Sequence, residues 1–261
     1  DSLEGKRGNP RLKPPFPANQ GLYRGPTLIN NVETLSTVPH IIRLGGREYA
    51  KLGTDNSAGT KLVSVSGNVQ RPGNYEIELG IPAREIIYGL AGGPLPGRRV
   101  KFWFPGGSSS PVLLPEDMDL PYDFDSMARA GSMLGSGAII VVDDSVPVLD
   151  VALKLAKFYR HESCGKCTPC REGTNWTVKM LERIARGEGT PMDLDIIASV
   201  QRQIMGNCLC VLGDAMAMPL SSMVAKFRDE FEAAMEAARE RAGLGAAPAT
   251  PPAAIAAGVG A

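Results

Sequence analysis

Residues 162–174 read Glu-Ser-Cys-Gly-Lys-Cys-Thr-Pro-Cys-Arg-Glu-Gly-Thr and set Cys164, Cys167 and Cys170 three residues apart. The apolar spacing on both sides is helical. VPVLDVALKLAKFYRHE runs into the motif and PCREGTNWTVKMLERIARG runs out of it, followed by MDLDIIASVQRQIM and SSMVAKFRDEFEAAMEAARERAG. These four segments, each of about three to five turns, predict a four-helix bundle over 146–243 with the cysteines between its first two helices.

Three thiolates at this spacing can wrap one face of an iron-sulfur cube, and a fourth from a distant loop closes the site. Cys208 and Cys210 stand some 40 residues on, where they could supply it. Two residues apart in an extended loop, their sulfurs point to opposite sides, so one of them binds and the other is a buried filler. Spacing alone does not choose between them. Zinc is the competing metal, because His161 with Cys164, Cys167 and Cys170 makes a Cys3His set. Inert core thiols are the bland reading. Thr168 reads as a helix cap with Pro169 at the first helical position, which turns unpaired amides toward the sulfurs. Those amides, together with Lys166 and Arg171, favour the more negative reduced cluster.

Outward from the bundle, residues 61–145 alternate in the manner of strands. LVSVSG, a turn at Arg71-Pro72-Gly73 and NYEIEL read as paired strands, and residues 82–91 read as a short helix ending at Gly92-Gly93. VKFWF, PVLL (111–114) and AIIVV read as further strands, so this stretch fits a small β-grasp domain. Asp117, Asp119, Asp123 and Asp125 read as an acidic solvated loop, without the glycine and closing glutamate of a calcium loop. Residues 1–60 are rich in turn formers and do not make an independent domain, with helical spacing only from Val32 to about Leu52. Lys6, Arg7, Arg11 and Lys13, with Phe16 behind them, could meet a pyrophosphate and a flat ring, although a solvated basic loop is the plainer reading. Residues 244–261, all small residues and proline apart from single aliphatics, read as a disordered tail.

Hydrophobic residues are 43% and charged residues 21% of the 261, which predicts a globular chain of two or three compact units. Twenty-eight basic residues balance 28 acidic ones, leaving no overall electrostatic reason to bind nucleic acid. Five cysteines, three of them clustered, point to a reducing compartment and a metal rather than a disulfide framework. No stretch has the length and apolarity of a membrane span. The chain lacks G-x-G-x-x-G, the Walker phosphate loop, H-E-x-x-H and G-x-S-x-G, and has only two histidines. The opening residues, which lack an initiator methionine, read as the start of a fragment.

ESCGKCTPCREGT, with CLCVLGDAMAMPLSSMVAKFRDEFE and SLEGKRGNPRLKPPFPANQGLYRGPTLINNVET, resembles the NADH-oxidising flavoprotein family of respiratory complex I over about residues 1–243. The resemblance implies a multidomain α+β chain: the C-terminal edge of an α/β flavin domain (1–60), a β-grasp domain (61–145) and a helical iron-sulfur bundle (146–243). It implies that Cys164, Cys167, Cys170 and Cys210 hold a 4Fe-4S cluster, leaving Cys208 spare. It further implies that Asn30, Asn31 and Thr34 lie against FMN, and that Lys13 and Phe16 face the bound NAD(H). The expected activity is electron entry into an NADH dehydrogenase, passing electrons from NADH through FMN and the cluster toward quinone. Its partners would be a small iron-sulfur subunit and a large multi-cluster subunit, linked indirectly to a membrane arm, on the cytoplasmic or matrix side of the membrane. The family's glycine-rich FMN and NADH loop is not present, so this chain alone is expected to bind iron without oxidising NADH. The alternatives are a diaphorase subunit of a soluble NAD-linked formate dehydrogenase or hydrogenase, and a zinc-stapled helical adaptor.

Overall fold

The computed structural model describes residues 1–245; the tail expected to be disordered lies outside the described residues from 246 onward. The first helix, α1 (Val32–Leu44), starts where the Asn31 side chain accepts the Glu33 N–H, the ordinary capping arrangement. A single turn, α2 (Gly46–Tyr49), follows. The apolar positions Leu35, Val38 and Ile42 of α1 are exposed.

A short ribbon of β1 (Gly53–Thr54) and β2 (Ser57–Ala58) leads into β3 (Thr60–Gly67) and β4 (Gly73–Glu78). After β5 (Val100–Phe104), α3 (Phe124–Arg129) and β6 (Ala138–Asp143), the sheet has the order β4-β3-β6-β5. β3 pairs antiparallel with β4 and parallel with β6, and β5 closes the other edge antiparallel. Alternation decides which face is buried: Val63 and Val65 point into the core, while Leu62 is exposed.

Three local expectations need correction. Residues 111–114 do not form a strand; Leu113 makes only an isolated bridge to Trp103. The short helix is a π-helix over Glu85–Leu90, in which Ala91 N–H reaches back to the Ile86 carbonyl. The aspartates are not merely solvated. Asp119 receives a two-pronged Arg84, Asp123 caps α3 through the Ser126 N–H, Asp117 accepts the Leu114 N–H and Asp125 accepts Asn56.

Among the described residues five long helices follow rather than four: α4 (Val148–Glu162), α5 (Thr168–Ala185), α6 (Pro191–Ile204), α7 (Leu212–Lys226) and α8 (Arg228–Arg241). The segment expected as one final helix breaks at Phe227, whose backbone leaves the helical region and whose ring packs 5.1 Å from that of Phe102. Phe102, Phe104 and Val142, from the sheet, share one core with Leu155, Leu181, Ile197 and Leu220 of the helices. Each such side chain contributes about 1.5–3 kcal/mol on burial. Val63, Ile86, Trp103, Tyr122 and Ile139 form a second core on the sheet's other face. Both sides of β5 are therefore covered, which explains the apolar run Phe102-Trp103-Phe104 in it. Polar ties fix the docking: Lys101 Nζ donates to Glu230 at 2.9 Å, and Lys226 Nζ donates to the Val112 carbonyl at 2.7 Å. Among the described residues no helix is long and apolar enough to cross a membrane.

Candidate metal centre

Cys164 and Cys167 lie in the connection between α4 and α5, and Cys170 in the first turn of α5. The N-cap is Cys167 itself, with Thr168 and Pro169 as the first two helical residues, one position earlier than the sequence predicts. Gly165, at φ +75, makes the turn between the first two cysteines. Arg171 Nη1 donates to the Gly165 carbonyl at 2.7 Å, and Ser163 Oγ lies 3.2 Å from Cys170 Sγ and accepts the Gly165 N–H. The loop is therefore held by its own side chains and not by the cysteines alone.

The loop carrying Cys208 and Cys210 runs from α6 to α7. Asp214, in the first turn of α7, accepts the Gly206 N–H at 2.7 Å and ties the two ends of the loop together. Cys208 turns inward: its Sγ lies 3.6 Å from the Ile204 carbonyl, and only a glycine at 213 leaves room for it, since a Cβ there would stand 2.6 Å from the sulfur. Cys210 is exposed. The two sulfurs thus face different surroundings, although the segment is a run of bends rather than an extended strand.

All five thiols are free, and the Leu209 N–H of the distant loop reaches Cys167. Burial raises the Cys170 thiol's pKa, and charge on Cys167, Cys210 and Cys164 raises it further, so these four sulfurs sit within electrostatic reach of one another. Burial also works to raise Cys167, but the Leu209 N–H, the Cys208 thiol and the Cys170 N–H outweigh it and hold Cys167 below its usual range. Burial and the neighbouring Cys167 push Cys208 up to about 12. Backbone amides aimed at a cysteine sulfur are the environment that stabilises an iron-sulfur thiolate.

Cysteine thiolates are the donors that a 4Fe-4S cluster takes, and two loops supply them here. His161 is 86% exposed and lies beside Glu162, which gives the Cys3His reading no support.

The other expected site residues lie on the surface. Lys13, Phe16, Asn30, Asn31 and Thr34 are all exposed. Of the four N-terminal cations, Lys6 pairs with Glu4 and Arg11 with Asp1, while Arg7 and Lys13 make no ion pair among the described residues. Lys166 Nζ donates to the Pro10 carbonyl at 3.2 Å, which brings this basic segment against the cysteine loop. Sequence reasoning missed Asp214, Gly213, Ser163 and the Leu209 amide. The first of these had a visible signal, an acidic residue just after the cysteines at a helix start.

A β-grasp-type sheet fused to a helical bundle whose rim gathers cysteines from two loops is the arrangement of an iron-sulfur binding module. Residues 62–113 match the SLBB domain, and residues 150–234 match the NADH-ubiquinone oxidoreductase-F iron-sulfur binding region. The chain is homologous to the F subunits of NADH-quinone oxidoreductase, as the sequence motifs led one to expect. It is 52% identical over 239 residues to the second such F chain of Rhizobium meliloti, covering 92% of this chain and 57% of that protein. It is 47% identical over 232 residues to the F chain of Streptomyces coelicolor, covering 89% of this chain and 51% of that protein. The chain thus spans about half the length of the curated relatives it matches. Among solved structures, the NAD+-reducing nickel-iron hydrogenase in its air-oxidized state superposes with a TM-score of 0.81 at 36% identity, covering 89% of this chain and 40% of that one.

Proposed function

We propose that this chain is the cluster-bearing part of an electron-entry subunit of an NADH:quinone oxidoreductase, with Cys164, Cys167, Cys170 and Cys210 as the 4Fe-4S ligands. The observation that carries the reading is that the Cys210 loop closes on the three clustered thiols while Cys208 turns inward, its Sγ 3.6 Å from the Ile204 carbonyl. A bound cluster supplies one-electron transfer, matching a flavin that receives two electrons as hydride and releases them singly. The protein's share is to seal and orient: Ser163, Arg171 and the Leu209 amide hold the loop, and Asp214 sets the position of Cys210.

Asn30, Asn31 and Thr34 line the edge of the FMN site in this reading. The Asn31 oxygen is used by the helix cap, which leaves its NH2 group as the donor toward flavin. Lys13, with Phe16 as a stacking ring, faces NAD(H). Lys13 is better suited to a phosphate contact than Lys6 or Arg11, both of which are already paired. The acceptors are a small iron-sulfur subunit and a large multi-cluster subunit, on the cytoplasmic or matrix face of the membrane.

A second reading, a diaphorase subunit of a soluble NAD-linked hydrogenase or formate dehydrogenase, is favoured by the superposition on the hydrogenase. The higher identity to the quinone oxidoreductase chains supports the first. Iron and sulfide analysis with low-temperature paramagnetic resonance after reduction tests the site: Cys210→Ser should lose or alter the cluster and Cys208→Ala should keep it. The reverse outcome, or stoichiometric zinc in the wild type, overturns the assignment. Quinone reduction by the purified complex separates the two acceptors.

A further inference from the structure

One carboxylate joins the first turn of α1 to the β-grasp sheet. Along β3 the amides of alternate residues face β6: Ser64 N–H reaches the Gly137 carbonyl at 2.9 Å, and Leu62, two residues earlier, faces the same way. The β6 strand begins at Ala138, opposite Ser64, so the ladder ends before Leu62. Glu33 supplies the missing acceptor. Its Oε1 takes the Leu62 N–H at 2.8 Å, and its Oε2 pairs with Lys61 Nζ. The Lys61 stem is seated over Gly137, where φ is +77 and an added Cβ would lie 3.2 Å from Lys61 Cε. Both oxygens of Glu33 are thereby engaged across a sequence gap of 28 and 29 residues.

We infer that Glu33 is a positioning residue for the flavin edge, mortising α1 into the end of the β3 ladder so that the sheet domain serves as the rigid mount for Asn30, Asn31 and Thr34. The inference rests on the assignment of those three residues to FMN made above. Asn31 accepts the Glu33 N–H at 2.8 Å, so the residue that grips the sheet and the residue that faces the flavin share one capped turn. A displacement of Glu33 is passed directly to Asn31. The cost in overall stability is small, because Leu62 is 54% exposed and water replaces a lost acceptor there. Position is what the carboxylate supplies. This also gives the sheet domain a role in the reaction that needs no small ligand of its own.

The test uses the full-length flavoprotein containing this chain, reconstituted with FMN, and compares Glu33→Ala, Glu33→Gln and Lys61→Met. Glu33→Ala should weaken FMN binding about tenfold, the equivalent of one or two hydrogen bonds, and shift the flavin absorption bands. The cluster resonance and the melting temperature should stay near wild type. Glu33→Gln still accepts the Leu62 N–H and should recover most of the affinity, with Lys61→Met intermediate. Wild-type flavin affinity and spectrum in Glu33→Ala would overturn the inference, as would a Gln variant no better than Ala when both retain the cluster. A wild-type protein that takes up no FMN would overturn the flavin assignment itself, and this inference with it.

Discussion

The side-chain amide of Gln201 donates to the Thr177 hydroxyl at 2.8 Å, and that hydroxyl donates onward to the Gly173 carbonyl at 2.7 Å. Through this pair α6, which leads into the Cys208–Cys210 loop, is tied to α5, whose first turn holds Cys170. Both residues are fully buried, and Gln201 Oε1 has no hydrogen-bond partner among the described residues. Polar groups so enclosed set the register of two helices at some cost in stability. Thr177→Val strands the Gln201 NH2 and should destabilise the helical domain by about 1–3 kcal/mol. Adding Gln201→Leu should recover most of that loss, because both partners are then apolar. Chemical unfolding followed by circular dichroism measures the cycle; an additive double variant would show that the pair is uncoupled.

Arg171 has two separable roles, a charge near the thiols and a fork that holds the Gly165 carbonyl. Removing the charge should lower the cluster's reduction potential by tens of millivolts, the scale of roughly 1 kcal/mol for one electron. Arg171→Ala should therefore show a lower potential in a redox titration read by paramagnetic resonance. Arg171→Lys should keep the potential but lose iron faster to a chelator. Lys166→Ala should lower the potential as well, and unchanged potentials in iron-replete Lys166→Ala and Arg171→Ala proteins would remove the electrostatic role.

Tyr122 is buried, and its hydroxyl donates to the Pro105 carbonyl at 2.6 Å. Burial raises its pKa well above the ordinary 10.0. A folded-state pKa above the unfolded one makes a contribution that is complete below pH 10.0 and declines as pH rises toward the folded value. Tyr122→Phe should cost about 1–3 kcal/mol near neutral pH, through the stranded carbonyl, and flatten the alkaline decline. Urea midpoints at neutral and alkaline pH check both parts.

Glu33 has the opposite sign. Burial works to raise its pKa, but the Lys61 ammonium and the Leu62 N–H outweigh it and hold the carboxyl below the ordinary 4.5. Its contribution is therefore present above pH 4.5 and is lost as pH falls through the lowered folded value. Hydrogen exchange at the Leu62 amide, corrected for the intrinsic rate, should lose protection as the solution is acidified. Lys61→Met should move that loss to higher pH.

Much of this architecture was legible in the residues. The alternation of Val63 and Val65 with exposed neighbours marked β3, and the helical apolar spacing of PCREGTNWTVKMLERIARG marked α5. Both patterns are local periodicities written within one element. The break at Phe227 was not legible, because RDEFEAAMEA continues a helical pattern and only the Phe102 ring across the interface accounts for the ring's place there. The π-helix over Glu85–Leu90 was missed for a similar reason, since its apolar residues suit an ordinary helix equally well.

For the site, the sequence by itself determined that three cysteines gather where a loop enters a helix, because residues three apart remain neighbours in nearly any compact conformation. It also determined, through its likeness to known chains, which kind of metal they serve. Only the tertiary structure decided that Cys208 turns inward over Gly213 while Cys210 stays exposed, that Asp214 closes their loop, and that Glu33 completes a strand almost thirty residues away. Those choices depend on which backbone groups packing leaves without a partner, and that is settled between elements distant in the chain.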